Sequence, residues 1–258
     1  MNIFVFDIET VPDVQGGRKL YQLEGLSDKE VAEVMFHQRR QETGGSDFLR
    51  LHLQRVVAIS VVFRSGDILK VWSLADTDST ERELIQRFFD GVEKFSPTLV
   101  SWNGGAFDLP VLHYRALLHG IAAPRYWDSG EFDRDFKWNN YLSRYHSRHT
   151  DLMDVLSGYQ PRAVAPLDQI ATLLGFPGKM GMSGAQVWDS YLSGDIAGIR
   201  NYCEMDVLNT YLIYLRFELL RGHLSAEEYK QECCLLRAIL AKDNRPHLVA
   251  FNEAWTAE

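Results

Sequence analysis

The stretch Phe6–Asp13, FDIETVPD, places two carboxylates where an apolar strand should bury its side chains. Residues 2 to 8, NIFVFDI, are rich in the β-branched and aromatic side chains that suit a strand. Side chains two apart on a strand share a face, so Asp7 and Glu9 point the same way. An ionised carboxylate beside buried apolar surface is costly unless a counter-charge meets it. Taken alone, the stretch also reads as a strand end with both carboxylates lying past it, in the turn made by Val11, Pro12 and Asp13.

The chain has 258 residues, room for one large domain or two small ones. It is 46% hydrophobic and 24% charged, the balance of an ordinary globular protein in water. No apolar run approaches the roughly 18 residues of a membrane span, and the N-terminus lacks the basic-then-apolar order of a signal peptide. Cys203, Cys233 and Cys234 have no zinc-site spacing, and an odd number argues against a disulfide framework. The expected setting is the reducing cytoplasm, with no membrane partner. A formal net charge of -8 weighs against a protein that grips long duplex DNA by neutralising phosphates. It remains compatible with a nucleic-acid enzyme whose carboxylates hold cations.

Outward from the first strand, residues 56 to 63 and 67 to 73 predict two strands joined in a hairpin at Arg64-Ser65-Gly66. Thr80 and Glu83 form a capping box for a helix through about Phe95. A short strand over Thr98 to Trp102 runs into the loop NGGAFD, and a helix then ends at Gly120. The second half is helical: Leu167 to Leu174, a long helix from Asp195 to about Gly222, and a last helix opened by Ser225 and Glu228. Strands first, then alternation, then helices predict one α/β domain with a mixed sheet. Residues 10 to 54 read as an insertion with a helix whose apolar face is Val31, Val34 and Met35. Residues 121 to 150 read as a long aromatic and basic connection, and the region from about 223 as a helical extension.

Two further segments bear on the opening carboxylates. In SWNGGAFDLP, Asp108 falls at the start of a helix, where aspartate caps well. In NYCEMDVLNTYLIYLR, Tyr202 and Asp206 are four apart on a helix and share one face. Each segment has an ordinary reading by itself. Together, D-x-E, N-x-x-x-F-D and Y-x-x-x-D resemble the three motifs of DEDDy-type DnaQ-like 3′–5′ exonucleases. The closer resemblance is to the predicted exonucleases related to the exonuclease domain of family B DNA polymerases. LDQIATLLGFPGK and DLMDVL are similar to that subgroup too, and the likeness runs from Ile3 to about Gly222.

The resemblance implies an RNase H-like fold and a 3′–5′ exonuclease acting on single-stranded 3′ ends, DNA favoured and RNA open. It implies that Asp7, Glu9, Asp108 and Asp206 hold two divalent metal ions, Mg²⁺ or Mn²⁺. Asp7 is then the bridging ligand, Glu9 and Asp206 complete the water-activating metal, and Asp108 holds the second. Tyr202 is expected to orient the attacking water, since a phenol with pKa near 10 is a poor base at neutral pH. Thr10, Asn103 and Phe107 are expected around the terminal nucleotide, Phe107 equally as a core residue. The reading from a different class is a noncatalytic nucleic-acid-binding or scaffold module that keeps the fold. No polymerase-sized region accompanies the domain, so proofreading would need a protein partner.

Residues 136 to 150 contain Lys137, Arg144, Arg148, His146 and His149 interleaved with Trp138, Tyr141 and Tyr145, without an acidic residue. Such a composition suits a sequence-tolerant path for a single strand, and it equally suits a packed connection. Arg144 and Arg148 are the candidate substrate contacts there. Asp151 and Asp154 rival the metal-binding set, with Asp151 expected near the substrate path or as a helix cap.

Overall fold

The computed structural model describes residues 2–256, and in it five strands form one mixed sheet in the order β3-β2-β1-β4-β5. They are β1 (Ile3–Pro12), β2 (Gln54–Ser65), β3 (Ile68–Ser73), β4 (Thr98–Ser101) and β5 (His149–Asp151). The pairs β1–β2 and β2–β3 are antiparallel, while β4 runs parallel to both β1 and β5. The expected α/β class with a mixed sheet flanked by helices is the fold observed, and it is consistent with the RNase H-like fold that the resemblance implies.

Alternation along β1 divides the core. Phe4, Phe6 and Ile8 pack against α3 (Glu81–Phe95) and α4 (Asp108–His119) on one face. Ile3 and Val5 pack on the other against α9 (Ile196–Leu220), a helix buried around most of its circumference. A helix apolar on all sides is stable only as a core element. Its outer side is covered by α10 (Ala226–Leu240) and α11 (Pro246–Ala254), the predicted extension. Glu204 on α9 ties these layers together. It accepts from the Ser73 amide at 2.9 Å, from Arg245 at 2.7 Å, and lies 2.9 Å from His247.

The insertion folds as α1 (Val14–Tyr21) and α2 (Asp28–Thr43) over a small core of their own. The buried face of α2 is Val31, Ala32 and Met35, with Val34 only half-buried, one position round from the expected stripe. The 121–150 connection contains α5 (Pro124–Trp127) and delivers β5, a strand absent from the sequence reading. Three residues with a histidine and an aspartate carry no strand signature, and their pairing with β4 makes them one. Short helices α6 (Leu152–Leu156), α7 (Leu167–Leu173) and α8 (Val187–Leu192) then lead back to α9. None of the helices among the described residues is long and apolar enough to cross a membrane.

The first strand also runs further than expected, to Pro12 rather than Ile8. Proline is tolerated because it sits at the last position, paired with Gln54 at the end of the ladder. Asp13 immediately after it caps α1 and meets Arg115 of α4 at 2.5 Å. Arg115 also grips Glu81 at 2.5 Å, and Glu81 accepts the Val56 amide of β2 at 2.7 Å. This buried triad fixes the insertion, α3 and α4 against the end of β1. Removing the cation leaves Asp13 without its ion-pair partner and Glu81 with only His119 at 2.8 Å and the Val56 amide, so Arg115→Met should cost about 3–5 kcal/mol in denaturant unfolding. A loss below about 1 kcal/mol would mean that both acids escape to water.

Candidate active site

The edge where the carboxylates meet is made by a mismatch in strand length. Pairing between β1 and β4 covers only Ile3 to Val5, whereas β2 accompanies β1 along its whole length. Past Val5 the parallel side of β1 is therefore open. Asp108, the first residue of α4, fills it by accepting the Ile8 amide at 3.1 Å. Opposite, Asp7 pairs with Ser60 and Glu9 with Ala58, small neighbours that leave room beside each carboxylate. The register slips between Glu9 and Thr10, where β2 carries one extra residue, Val57.

The loop that brings in Asp108 is held tightly. Asp151 at the end of β5 accepts the amides of Asn103 and Gly105, both at 2.9 Å, and caps α6 through Met153. Asn103 adopts a left-handed backbone, φ 65°. A side chain at Gly104 would come within 2.4 Å of the Ser101 hydroxyl, so that position requires glycine. The third contributor is α9, which lays Tyr202, Cys203 and Asp206 over the same face of β1. The Cys203 thiol donates to the Asp7 carbonyl at 3.4 Å and lies 3.6 Å from Asp7 Oδ2.

Burial and mutual repulsion dominate the electrostatics. Burial, then Asp108, Glu9 and Asp206, push the Asp7 carboxyl well above the usual range. Burial and the charges of Asp206 and Asp108 do the same to Glu9. Asp108 is raised to about 7, chiefly by burial. Asp206 is raised to about 6 by burial, with the Tyr202 hydroxyl and Lys179 pulling it back. Burial beside Asp206 and Glu9 drives the Tyr202 phenol upward, so it stays protonated and keeps its O–H as a donor. Perturbations of this kind concentrate at functional sites.

Asp7, Glu9, Asp108, Tyr202 and Asp206 thus come together, with Asn103 and Phe107 on the adjoining loop. The Thr10 hydroxyl donates to Gln54 at 3.0 Å. Arg148 donates to the carbonyls of Asn139 and Ser96, both at 3.1 Å, with its guanidinium 4.2 Å from the Phe136 ring centre. It is a packed structural cation, and the connection around it is partly core: Phe136 and Tyr141 are buried, whereas Trp138 and Tyr145 are exposed. Arg144 is exposed and pairs with Asp154 at 2.6 Å. His149 lies 2.8 Å from the Ser101 hydroxyl, and His146 accepts the Asn140 amide at 3.1 Å.

Three residues at the site escaped the sequence reading. Cys203 lies between Tyr202 and Asp206, and only that adjacency signals it. Lys179 lies close enough for its charge to act on Asp206, and Asn209 of α9 clamps the preceding Gly178, accepting its amide at 3.1 Å and donating to its carbonyl at 2.9 Å. Phe48 of the insertion packs on Phe107 with ring centres 5.7 Å apart and is half-exposed. A cavity of about 620 Å³ lies at the other end of β1, beside Ile3, Arg64 and Glu232, remote from the carboxylates.

Residues 46–255 match the family described as predicted 3′–5′ exonucleases related to the exonuclease domain of PolB. The chain belongs to this family. The matched span starts after β1, so Asp7 and Glu9 join the exonuclease match through geometry. DNA polymerase 1 of Sulfurisphaera ohwakuensis is 46% identical over 53 residues, 20% of this chain and 6% of that polymerase. A DNA polymerase of Pyrococcus glycovorans is 28% identical over 137 residues, 51% of this chain and 17% of that protein. The chain therefore matches less than a fifth of the length of either relative.

The raised carboxyls predict an unusual pH dependence for this exonuclease-family protein in chelator. A carboxyl that titrates at about 7 when folded, against 3.8 ordinarily, keeps its proton in the folded state after the unfolded chain has released it. Its contribution to stability therefore falls as pH rises between about 4 and about 7. Asp108→Asn should flatten that fall when denaturant unfolding is compared at pH about 5 and about 7. An unchanged slope would assign the effect elsewhere.

Proposed function

We propose that the chain is a DEDDy-type, divalent-metal-dependent exonuclease that releases mononucleotides from single-stranded 3′ ends, with DNA preferred over RNA. We take residues 1–258 as one exonuclease domain. The observation that carries this reading is the convergence of Asp7, Glu9, Asp108 and Asp206 on one open strand edge, where burial and like charge destabilise their ionised forms. The family and its polymerase relatives support the direction of attack and the preference for DNA.

The donor set fits Mg²⁺ or Mn²⁺. It is built of carboxylate oxygens, and Glu9 is only 8% exposed, with its like-charged neighbours making ionisation still harder without a cation. Asp7, Glu9, Asp108 and Asp206 would together hold the cations through their carboxylate oxygens. Bound there, the metals would stabilise the attacking and leaving oxygens and lower the pKa of a bound water. The chain's own groups do the rest. Tyr202, held protonated, orients the attacking water by donation. Asn103 and Phe107 border the terminal nucleotide, with Phe48 extending the aromatic rim. Lys179 offers positive charge beside Asp206 where phosphate charge develops.

End-labelled DNA and RNA oligonucleotides, incubated with Mg²⁺ or Mn²⁺ and with chelator, test the proposal directly. Mononucleotide release from a free 3′-hydroxyl, lost in chelator, is the expected result. Stable nucleic-acid binding without turnover would favour the scaffold reading. Asp7→Ala and Asp206→Ala should each abolish turnover, and the double variant should be little worse, because groups acting as a unit are not additive. Tyr202→Phe should cost less, at most about 10²–10⁴-fold. An unaltered Tyr202→Phe rate would remove the phenol from the chemistry.

A further inference from the structure

Beside β5, the edge strand of the sheet, two separate segments bring a pair of tyrosines together. The Tyr145 and Tyr159 rings meet edge to face with centres 5.0 Å apart. The Arg144 guanidinium lies 6.0 Å from the Tyr145 ring centre and 5.1 Å from that of Tyr159. Tyr145 is 72% exposed, so its ring adds little to any core. Tyr159 follows Gly158, and both have left-handed backbones, φ 62° and 58°. A bulky residue rarely adopts that conformation. The turn is held by the Tyr159 amide, which donates to the Asp154 carbonyl at 2.8 Å, and it carries the ring onto Arg144 and Tyr145. The cluster is also tied to the carboxylate edge. Arg144 pairs through Nη2 with Asp154 of α6 at 2.6 Å. Asp151, which caps α6, holds the Asn103 and Gly105 amides of the loop that delivers Asp108. Among the described residues, the Nε and Nη1 groups of Arg144 make no hydrogen bond. The loop that follows, residues 157–166, holds Arg162 and no acidic residue.

We propose that Tyr145, braced by Tyr159 and Arg144, is a stacking platform for one base of a single nucleic-acid strand, upstream of its 3′ end, with the unbonded edge of the guanidinium turned to the phosphate. Every base has a π-face, so a platform of this kind holds a strand without reading its sequence. Arginine both stacks on aromatic rings and presents donors that match phosphate oxygens. The basic, aromatic connection is thereby divided: Arg148 belongs to the fold, and Arg144 contacts substrate. The strand runs from the carboxylates across the Asn103–Gly105 loop and leaves the sheet at β5. Which end of the strand is held there rests on the nuclease reading given above. The stacking itself rests on the three side chains.

Two measurements on the full chain test this: anisotropy of labelled single-stranded oligonucleotides in chelator, and their degradation with Mg²⁺ or Mn²⁺. Tyr145→Ala should weaken binding of long oligonucleotides by about 5- to 150-fold, the range for one base–aromatic stack. It should raise KM by a similar factor and leave kcat unchanged. A dinucleotide, too short to reach β5, should be cleaved as by the wild type. Tyr145→Phe should restore binding, because the ring is kept. A single abasic residue walked upstream from the 3′ end should weaken wild-type binding at one position, and Tyr145→Ala should be indifferent to it there. Arg144→Ala should lower the salt slope of binding by about one phosphate contact. Phe132→Ala is the control: Phe132 is 80% exposed beside Glu93 and Arg125, where α3 leads into the start of β4, and its loss should change neither measurement. Undiminished binding by Tyr145→Ala, or an equal loss on the dinucleotide, would overturn the proposal and leave the surface to a protein partner. Turnover by the wild type with no such effect of Tyr145→Ala would sink this inference alone. Tyr145-dependent binding without turnover under any metal would instead sink the nuclease reading and leave the platform standing.

Discussion

Like charge held close together is the constraint on which this molecule turns. Asp7 and Glu9 stand on a strand whose other residues are core, and α9 brings Asp206 onto them from above while α4 brings Asp108 from the side. Isolated, each carboxylate would escape to water or pair with a cation. Here the strand cannot turn them outward, because the same alternation that places Phe4, Phe6 and Ile8 in the opposite core fixes the direction of Asp7 and Glu9. Hydrophobic burial on two faces thus enforces an electrostatic arrangement that is unfavourable without cations.

The rest of the architecture keeps that arrangement from relaxing. The triad of Arg115, Asp13 and Glu81 locks the far end of β1 to α4, so Asp108 cannot drift from Ile8. Asp151 pins the glycine loop that precedes α4. Glu204 anchors α9 from behind through β3 and α11, two residues before Asp206. The charged groups that are paired in this protein hold in place the ones that are not. A preorganised site of this kind has its reorganisation energy supplied by folding.

The ordinary features were legible because each is encoded locally. The capping boxes at Thr80, Ser27 and Ser225 are formed in the structure, the first and last of them at helix starts read from sequence alone. Gly120 ends α4 in the left-handed conformation expected of it. Asp195 caps the long helix. For the candidate site, periodicity within one element puts Asp7 and Glu9 on one face and Tyr202 and Asp206 on another, while joining these pairs to each other and to Asp108 rested on the family resemblance. The features that were not legible depend on partners far along the chain. His149 to Asp151 become a strand only beside β4, Arg148 becomes structural only against Phe136 and two distant carbonyls, and β1 continues to Pro12 only because β2 continues with it.

What the sequence by itself determined is the set of chemical groups and their local directions: four acids and a tyrosine, with strand and helix spacings that let pairs of them cooperate. What only the tertiary structure decided is which groups share one volume. Cys203, Lys179 and Phe48 carry no spacing signal, since each reaches the site through a contact between segments that are distant in sequence: α9 on β1, the Asn209 clamp on Gly178, and the insertion on Phe107. Periodicity propagates direction along one element. Proximity between elements is fixed by which apolar faces bury one another, and that is a property of the whole chain.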